Sequence, residues 1–253
     1  MALFGLFGNS ETLYFPGCYS SAFIKGKIEN YKRILKKLDI DFDTQKEDIC
    51  CGGFLREQGY DKQLRKQAKE NNLEFKDRKI KNILVNCGLC YSTFKKYKEL
   101  MPDWNIEIKH IAYEILEKLR QNKELVRAFS SSPEIYYYDS CYLGRWEQFL
   151  DAPRELLNVL GYKVKELPYT KQETLCCGSC GGIMHTNPEL AEKIGLNFIK
   201  MLKRKGVKRL VTSDPRAYNH LKENFEKLNI SDKEIELLEL SDIICDSLGV
   251  KRE

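Results

Sequence analysis

The sequence predicts an α/β protein made of two tandem, homologous, Rossmann-like half-domains that reflect an internal duplication. Four blocks occur in the same order twice, and matched positions lie about 125 residues apart. Within each half, short runs rich in β-branched and aromatic residues alternate with stretches of helical periodicity. Alternation of this kind is typical of largely parallel sheets.

Each predicted element follows from its residues. The predicted strands are TLYFPG, NILVN and IEIKHI in the first half, and EIYYYDS, RLVTS and IELLEL in the second. The predicted helices contain YKRILKKL, QLRKQAKEN and PELAEKIGLNFIKMLKRKG, the last beginning near Pro188 and ending at Gly206. Small residues and Pro133 in AFSSSPE separate the halves. We therefore expect an N-terminal tail (1–11), a first domain (12–127) and a second domain (134–253).

Composition narrows the function classes. Hydrophobic residues make up 42% of the chain and charged residues 31%. The net charge is only +5, and the basic residues are interleaved with acidic ones, so the sequence does not predict nucleic-acid binding. No apolar run reaches the roughly 18 residues that a membrane span needs. The start, MALFGLFGNS, lacks a basic n-region and a cleavage site, so we predict no signal peptide and a cytoplasmic location. In that compartment, ten cysteines indicate metal binding or redox chemistry.

Cysteines are predicted to gather at one edge of each sheet. Cys18, Cys87 and Cys141 each follow a predicted strand, and ligands bind at the carboxyl ends of strands in open α/β sheets. The adjacent pairs, Cys50–Cys51 and Cys176–Cys177, precede glycines, and a disulfide between neighbours would be strained. The sequence therefore predicts metal sites at the C-terminal ends of strands.

The first half contains more thiols than a zinc ion uses. Its cysteines are Cys18, Cys50, Cys51, Cys87 and Cys90. Structural zinc takes four ligands, and only three widely separated histidines are present, whereas soft thiolates also suit multi-iron clusters. Gly52 and Gly53 would let the backbone approach a bulky inorganic core and donate hydrogen bonds to its sulfides.

This arrangement resembles the CCG domain, in which adjacent cysteines lie between an upstream cysteine and a Cys-x-x-Cys pair. That domain occurs in the B-type and D-type subunits of heterodisulfide reductase and in related iron–sulfur subunits. The first half matches every cysteine, and the second resembles the family in YYDSCYLGRWEQFLDAPRELL, LCCGSCGGIM and DPRAYNHLKENF. The resemblance implies that the five first-half cysteines hold a [4Fe-4S] cluster, either cubane or of the noncubane type that cleaves a disulfide in the B-type subunits.

The second half departs from the family pattern. Aligning Tyr91 with Tyr218 puts Asp214 opposite Cys87 and Ala217 opposite Cys90, so both thiols of the Cys-x-x-Cys pair are lost. Four thiols remain, at Cys141, Cys176, Cys177 and Cys180. Three interpretations stay open: a four-cysteine [4Fe-4S] cluster, a modified cluster with Asp214 as an oxygen ligand, or a decayed site. The additional thiol of Cys180 favours the first, because a cubane cluster takes four thiolates.

The predicted function is that of an oxidoreductase subunit similar to heterodisulfide reductase, which reduces a disulfide or transfers electrons. The chain lacks a ferredoxin-type cysteine run and a dinucleotide fingerprint, so a flavoprotein or a ferredoxin-type iron–sulfur protein is expected as its electron partner. One alternative is a pure electron-transfer subunit of a flavin-linked lactate, glycolate or glycerol-3-phosphate dehydrogenase. Another is a zinc-stabilised binding protein without redox function.

Two further residues receive predictions. Cys245 lies in apolar helical spacing and is expected in the core, where a free cysteine behaves as a small hydrophobe. His185 is expected in a loop, with proton donation to a product thiolate as the alternative role.

Overall fold

Two parallel four-stranded sheets organise the chain in the computed structural model, which describes residues 10–45, 49–127 and 131–253. The strands are β1 (Thr12–Phe15), β2 (Asp43–Thr44), β3 (Asn82–Val85), β4 (Glu107–His110), β5 (Glu134–Tyr138), β6 (Lys163–Glu166), β7 (Arg209–Thr212) and β8 (Glu236–Glu239). The first sheet has the order β2-β1-β3-β4 and the second the order β6-β5-β7-β8. The matching orders confirm the predicted α/β fold class of two homologous half-domains.

Helices connect the strands of each sheet. They are α1 (Gly17–Phe23), α2 (Lys25–Lys37), α3 (Gly53–Glu57), α4 (Asp61–Asp77), α5 (Gly88–Leu100), α6 (Ile111–Gln121), α7 (Asp151–Val159), α8 (Ile183–Thr186), α9 (Pro188–Lys205), α10 (Pro215–Lys227) and α11 (Leu240–Leu248). Short 3-10 helices occupy Lys123–Leu125 and Lys171–Glu173, and a π-helical turn occupies Tyr142–Trp146. As predicted, α9 begins at Pro188 and ends at Gly206, whose φ of 72° suits glycine.

The six predicted strands are present, and two edge strands were not predicted. β2 has only two residues, and β6 is Lys-Val-Lys-Glu with both ends exposed. β2 is too short to show a pattern, and no residue of either strand is fully buried, so neither has the apolar run that predicts a strand. In the first sheet Phe15 pairs with Val85, and Val85 pairs with His110, so the carboxyl ends of three strands meet at one edge.

A continuous apolar core joins the two halves. It includes Tyr14 and Leu84 of the first sheet together with Val211 and Leu238 of the second, all at most 4% exposed. Cys245 lies in the same cluster and is fully buried, which confirms its prediction as a core residue.

The halves pack against each other in two equivalent pairs of contacts. Helix α1 contacts α10, and α5 contacts the π-helical turn Tyr142–Trp146; similarly, α2 contacts α11 and α6 contacts α7. In each half, the helical segment that follows the first strand therefore contacts the other half. Its partner there is the helix that follows the third strand, so α1 contacts α10 and the π-helical turn contacts α5. This cross-packing brings the cysteine-bearing edge of each sheet against the opposite half.

Parts of two sequence predictions lie outside the described residues. These are residues 1–9 of the predicted tail and residues 128–130 of the predicted linker. The limits proposed for the two domains therefore stay a prediction. Across the described ranges, no helix combines the length and the apolar character that crossing a bilayer would require.

We expect a pH effect from the buried carboxyl of Glu239, where the halves meet. Burial raises its pKa from 4.5 to about 7, with the nearby Asp242 also raising it, although Ser241 N–H (2.7 Å) and Tyr31 hydroxyl (2.8 Å) donate hydrogen bonds to it. A carboxyl with a raised pKa in the folded state costs stability as pH rises from 4.5 to about 7. Glu239→Gln should remove this loss, which amounts to roughly 3 kcal/mol.

Chemical unfolding across pH 4 to 8 measures this effect. The advantage of Glu239→Gln over the parent should grow with pH and level off above about pH 7. Glu226→Gln, whose parent side chain is 67% exposed, is the control and should give a curve parallel to the parent. Parallel curves for Glu239→Gln as well would contradict the assignment.

Candidate functional site

The five first-half cysteines surround one cavity at the carboxyl edge of the first sheet. Its volume is about 460 Å³. Cys18 lies in the first turn of α1, Cys87 is the N-cap of α5 and Cys90 lies in the first turn of α5. Cys50 and Cys51 come just before Gly52, the N-cap of α3. The structure thus brings together thiols that come from three separate segments of the chain.

Sulfur atoms within this cavity are close to one another. The Sγ atoms of Cys18 and Cys50 are 3.8 Å apart, and those of Cys51 and Cys90 are 3.2 Å apart. Cys87 lines the same cavity, and its thiol contributes to raising the pKa of Cys90. The N–H groups of Gly52 and Gly53 lie 3.4 Å from the sulfur atoms of Cys50 and Cys51, respectively. The turn therefore directs backbone donors at the sulfur atoms.

The thiols do not ionise alike. Hydrogen bonds from the thiols of Cys18 and Cys51, with the N–H of Gly52, lower the pKa of Cys50 to about 3. The pKa of Cys51 is raised by its hydrogen bond to Cys50 and by burial, and that of Cys90 is raised by its hydrogen bonds to Cys51 and Cys87. One thiolate among thiols is what mutual repulsion allows in a buried site. Full deprotonation requires compensating cations, which metal ions supply.

Two polar side chains outside the cysteine motif hold the first Cys-Cys-Gly turn. Asn71 Nδ2 donates to the carbonyl of Cys50 (2.8 Å) and to the hydroxyl oxygen of Tyr97 (2.9 Å). The Tyr97 hydroxyl in turn donates to the carbonyl of Cys51 (2.9 Å). Sequence reasoning missed both residues, because each lies in a helix whose spacing predicts only a packed face. The sequence carries no local signal for either role, because the contacts span 21 and 46 positions.

Tyr97→Phe should lower the free energy of unfolding by about 1–3 kcal/mol, because the carbonyl of Cys51 loses its buried donor. Urea unfolding of the metal-free protein measures the change. Tyr113→Phe is the control, since Tyr113 is 42% exposed, and its effect should be within about 0.5 kcal/mol. Equal stability of the two variants would contradict the role of Tyr97.

The second-half cysteines form a separate group. The neighbouring thiols of Cys176 and Cys180 raise the pKa of Cys141, and burial adds to the effect. The Cys141 thiol, together with the Gly178 N–H 3.3 Å from the sulfur, lowers the pKa of Cys176 to about 6. Cys177 is turned toward Ser179, with 3.3 Å between Sγ and Oγ, and burial raises its pKa to about 12. Cys141 therefore links Cys176 and Cys180, and Cys177 faces away from this group.

Tyr138 holds the second Cys-Cys-Gly turn as Tyr97 holds the first. Its hydroxyl donates to the carbonyl of Leu175 (2.9 Å) and accepts from the N–H of Cys177 (3.1 Å). The two tyrosines occupy unrelated positions, one at the end of α5 and one at the end of β5. An alignment of the halves therefore does not reveal their common role.

Asp214 lies between two helix N-termini. It is the N-cap of α10, where Oδ1 accepts from the N–H groups of Arg216 (3.0 Å) and Ala217 (3.2 Å). Its Oδ2 accepts from the N–H of Gly88 (3.2 Å), which follows Cys87 at the start of α5. Asp214 is 1% exposed. Asp214, which stands where the second half has lost a cysteine, thus accepts a hydrogen bond from the N-terminus of α5, the Cys-x-x-Cys helix of the first half. Its role as an oxygen ligand stays a prediction.

Aromatic side chains form much of the first cavity's wall. Tyr19, Phe23 and Phe54 line it, and Phe23 and Phe54 remain 58% and 43% exposed. His185, which the sequence placed in a loop, lies instead in the short helix α8 and packs edge-on against Phe54 at 5.2 Å. Because His185 belongs to the second half, both halves build the wall.

The donor set fits a multi-metal sulfur cluster. Within residues 10–45, 49–127 and 131–253, no three Cys, His, Asp or Glu side chains are disposed to hold a single metal ion. The five first-half thiols instead stand around a cavity, and backbone N–H groups are directed at two of their sulfur atoms. Soft ligands on the wall of such a space are suited to binding iron and sulfide.

Comparison with known proteins gives a family match in both halves. The model of the family described as "Cysteine-rich domain", CCG, matches residues 12–95 and 135–222. The EtfAB:quinone oxidoreductase of Syntrophomonas wolfei subsp. wolfei is 31% identical over 191 residues, which are 74% of this chain and 26% of that protein. A glutamate racemase structure from Francisella tularensis subsp. tularensis has a TM-score of 0.39 at 11% identity, over 94% of this chain and 78% of that one.

Two further relatives are named as subunits of reductases. The D-type subunit of the dihydromethanophenazine:CoB–CoM heterodisulfide reductase of Methanosarcina mazei is 28% identical over 76% of this chain and 48% of that protein. The B-type subunit of the fumarate reductase (CoM/CoB) of Methanothermobacter marburgensis is 26% identical over 91% of this chain and 45% of that protein. The chain therefore spans between about a quarter and a half of the length of these relatives.

Proposed function

Because the chain belongs to the cysteine-rich domain (CCG) family, we propose that it is an iron–sulfur redox subunit similar to heterodisulfide reductase. The observation that carries this proposal is the convergence of five thiols on one cavity at the edge of the first sheet. Relatives in the family are oxidoreductases or their subunits, so redox chemistry is common to them. The finer assignments below concern the cluster, the substrate and the partner.

We assign a [4Fe-4S] cluster, cubane or noncubane, to the first site. Its ligands would be Cys18, Cys50, Cys51, Cys87 and Cys90. When bound, the cluster would supply electron transfer and iron atoms able to bind a thiolate. The protein holds the turn through Asn71 and Tyr97 and lines the remaining space with aromatic rings.

A disulfide is the substrate we propose for this cavity. Reduction of a disulfide breaks one sulfur–sulfur bond, consumes two electrons and two protons, and releases two thiols. Cys18 is exposed, whereas Cys51, Cys87 and Cys90 are buried, so a substrate sulfur would approach on the Cys18 side. Tyr19 and Phe23 on the same helix provide an apolar surface for the rest of the molecule.

For the second half we propose a four-cysteine [4Fe-4S] cluster held by Cys141, Cys176, Cys177 and Cys180. The electrostatic coupling of the Cys141 thiol to Cys176 and Cys180 supports it. Cys177 would have to turn from Ser179, which rotation about its side-chain bond permits. Iron content distinguishes this proposal from a decayed site, because two clusters contain twice the iron of one.

Electrons would come from a separate flavoprotein or ferredoxin-type iron–sulfur protein, and we propose that both partners are cytoplasmic. A relative named EtfAB:quinone oxidoreductase supports coupling to a redox partner. If the chain only transfers electrons, as in a flavin-linked hydroxy-acid dehydrogenase, all chemistry on the substrate would occur in that partner.

Anaerobic purification followed by iron, zinc and sulfide analysis tests the proposal. Iron with matching acid-labile sulfide and an EPR signal on reduction is expected, whereas a colourless protein with zinc and no sulfide would overturn it. Turnover of small disulfides with a chemical reductant separates the two redox functions. Reduction of a disulfide supports catalysis, and an iron-loaded protein that reduces none supports electron transfer alone.

A further inference from the structure

The segment that lost the second Cys-x-x-Cys pair contacts the first half of the chain. By alignment, Asp214 and Arg216 take the places of Cys87 and Leu89. Asp214 accepts a hydrogen bond from the N–H of Gly88, next to Cys87. Arg216 pairs with Glu57 at the end of α3, the helix that follows the first Cys-Cys-Gly turn. The altered motif therefore forms an interdomain contact.

Glu57 is the centre of this contact. Its carboxylate accepts from Arg216 Nη1 (3.0 Å) and Nη2 (3.2 Å), from the Tyr142 hydroxyl (2.7 Å) and from the Gly181 N–H (2.8 Å). Tyr142 directly follows Cys141, and Gly181 directly follows Cys180. A carboxylate of the first half thus holds the residues next to two cysteines of the second half.

The guanidinium of Arg216 acts on both cysteine groups. The Arg216 and Glu57 side chains are only 6% and 2% exposed. Burial alone would lower the pKa of Arg216, but the thiolate forms of Cys180 and Cys87 and the carboxylate of Glu57 raise it. Arg216 lines the first cavity together with Cys87, and its partner Glu57 accepts from the N–H of Gly181, the residue after Cys180. The pair therefore lies beside one thiol from each group. Because the guanidinium is buried, salt screens its interaction with these thiols only weakly.

We propose that Arg216 is a positioning residue shared by the two cysteine sites, and that the Arg216–Glu57 pair sets the reduction potentials of both clusters. The inference rests on the proposed function. A reduced cluster carries one more negative charge than an oxidised one, so a nearby cation favours reduction and a nearby anion opposes it. The two members of the pair act with opposite sign on each site.

Redox titration followed by EPR on the iron-loaded protein tests the proposal. Arg216→Gln should lower the midpoint potentials of both clusters, because a cation is lost and Glu57 is left unpaired. Glu57→Gln keeps the shape of the side chain and should raise both potentials, because the charge of Arg216 is no longer balanced. Arg216→Lys retains the charge without the bidentate geometry and should restore part of the shift. If Arg216→Gln fails to fold, Arg216→Lys and Glu57→Gln still test the proposal.

Lys27→Gln is the matched control. Lys27 Nζ forms a partly buried interdomain ion pair with Asp242 (2.7 Å) and lies 5.4 Å from the centre of the Tyr218 ring. Removing it should leave both potentials unchanged.

Several outcomes would overturn the inference. One is that the midpoint potentials shift with the same sign in Arg216→Gln and Glu57→Gln. Others are a shift of the potential at one site alone and an equal shift in Lys27→Gln. A wild-type protein without iron would overturn the proposed function, and this inference with it. Iron at both sites with unchanged potentials in the variants would overturn this inference alone.

Discussion

Replacing Cys51 with serine is expected to abolish the EPR signal of the first site, whereas replacing Cys245 with serine leaves it intact. Cys51 lines the cavity and lies 3.2 Å from Cys90, sulfur to sulfur, so its loss removes a proposed ligand from the centre of the set. Serine is a poor ligand for iron in such clusters because its hydroxyl is harder and less acidic than a thiol. Anaerobic EPR with iron and sulfide analysis measures the result.

The two cysteines form a matched pair for this experiment. Cys51 is 3% exposed and Cys245 is fully buried, so both substitutions place a hydroxyl in the interior and cost similar stability. Only the change at Cys51 alters the cavity. Equal loss of the signal in both variants would show that the effect comes from destabilisation and would contradict the ligand assignment.

Gly178→Ala is expected to lower the free energy of unfolding by roughly 3 kcal/mol or more, well beyond the effect of Gly52→Ala. Both glycines follow a pair of cysteines and have positive φ, 97° for Gly178 and 76° for Gly52. A Cβ at Gly178 would lie 2.3 Å from the carbonyl oxygen of Ala191 in α9, which is backbone and cannot move aside cheaply. At Gly52 the nearest atom is Leu64 Cδ1 at 2.9 Å, the mobile end of a side chain.

Urea unfolding of the metal-free variants measures both changes. The alanine penalty for positive φ, about 1–2 kcal/mol, is common to the two, so their difference reports the clash with α9. In the iron-loaded protein, Gly178→Ala should diminish the second-site signal and spare the first. A smaller effect at Gly178 than at Gly52 would contradict the geometry of the second turn.

The cysteine positions could be predicted because strand ends are visible in the sequence. Cys18, Cys87 and Cys141 follow buried apolar runs, and parallel strands bring such positions to one edge. The residues that hold the cysteine-bearing turns could not be predicted, because their hydrogen-bond partners are distant in the sequence. Tyr97 and Glu57 lie in helices whose periodicity indicates only which face is buried. Glu57 meets Gly181 across 124 positions, a contact that local pattern does not contain.

The cross-packed halves have an evolutionary consequence. They are arranged like the two protomers of a symmetric dimer, with each binding edge completed by its neighbour. In a homodimer every substitution appears in both copies, so one centre cannot change without the other. Covalent fusion removes that restriction: one copy can give up its ligands and become a specialised support, provided it keeps the surface on which its twin depends. Separate expression of either copy would then yield an incomplete centre rather than half of the activity.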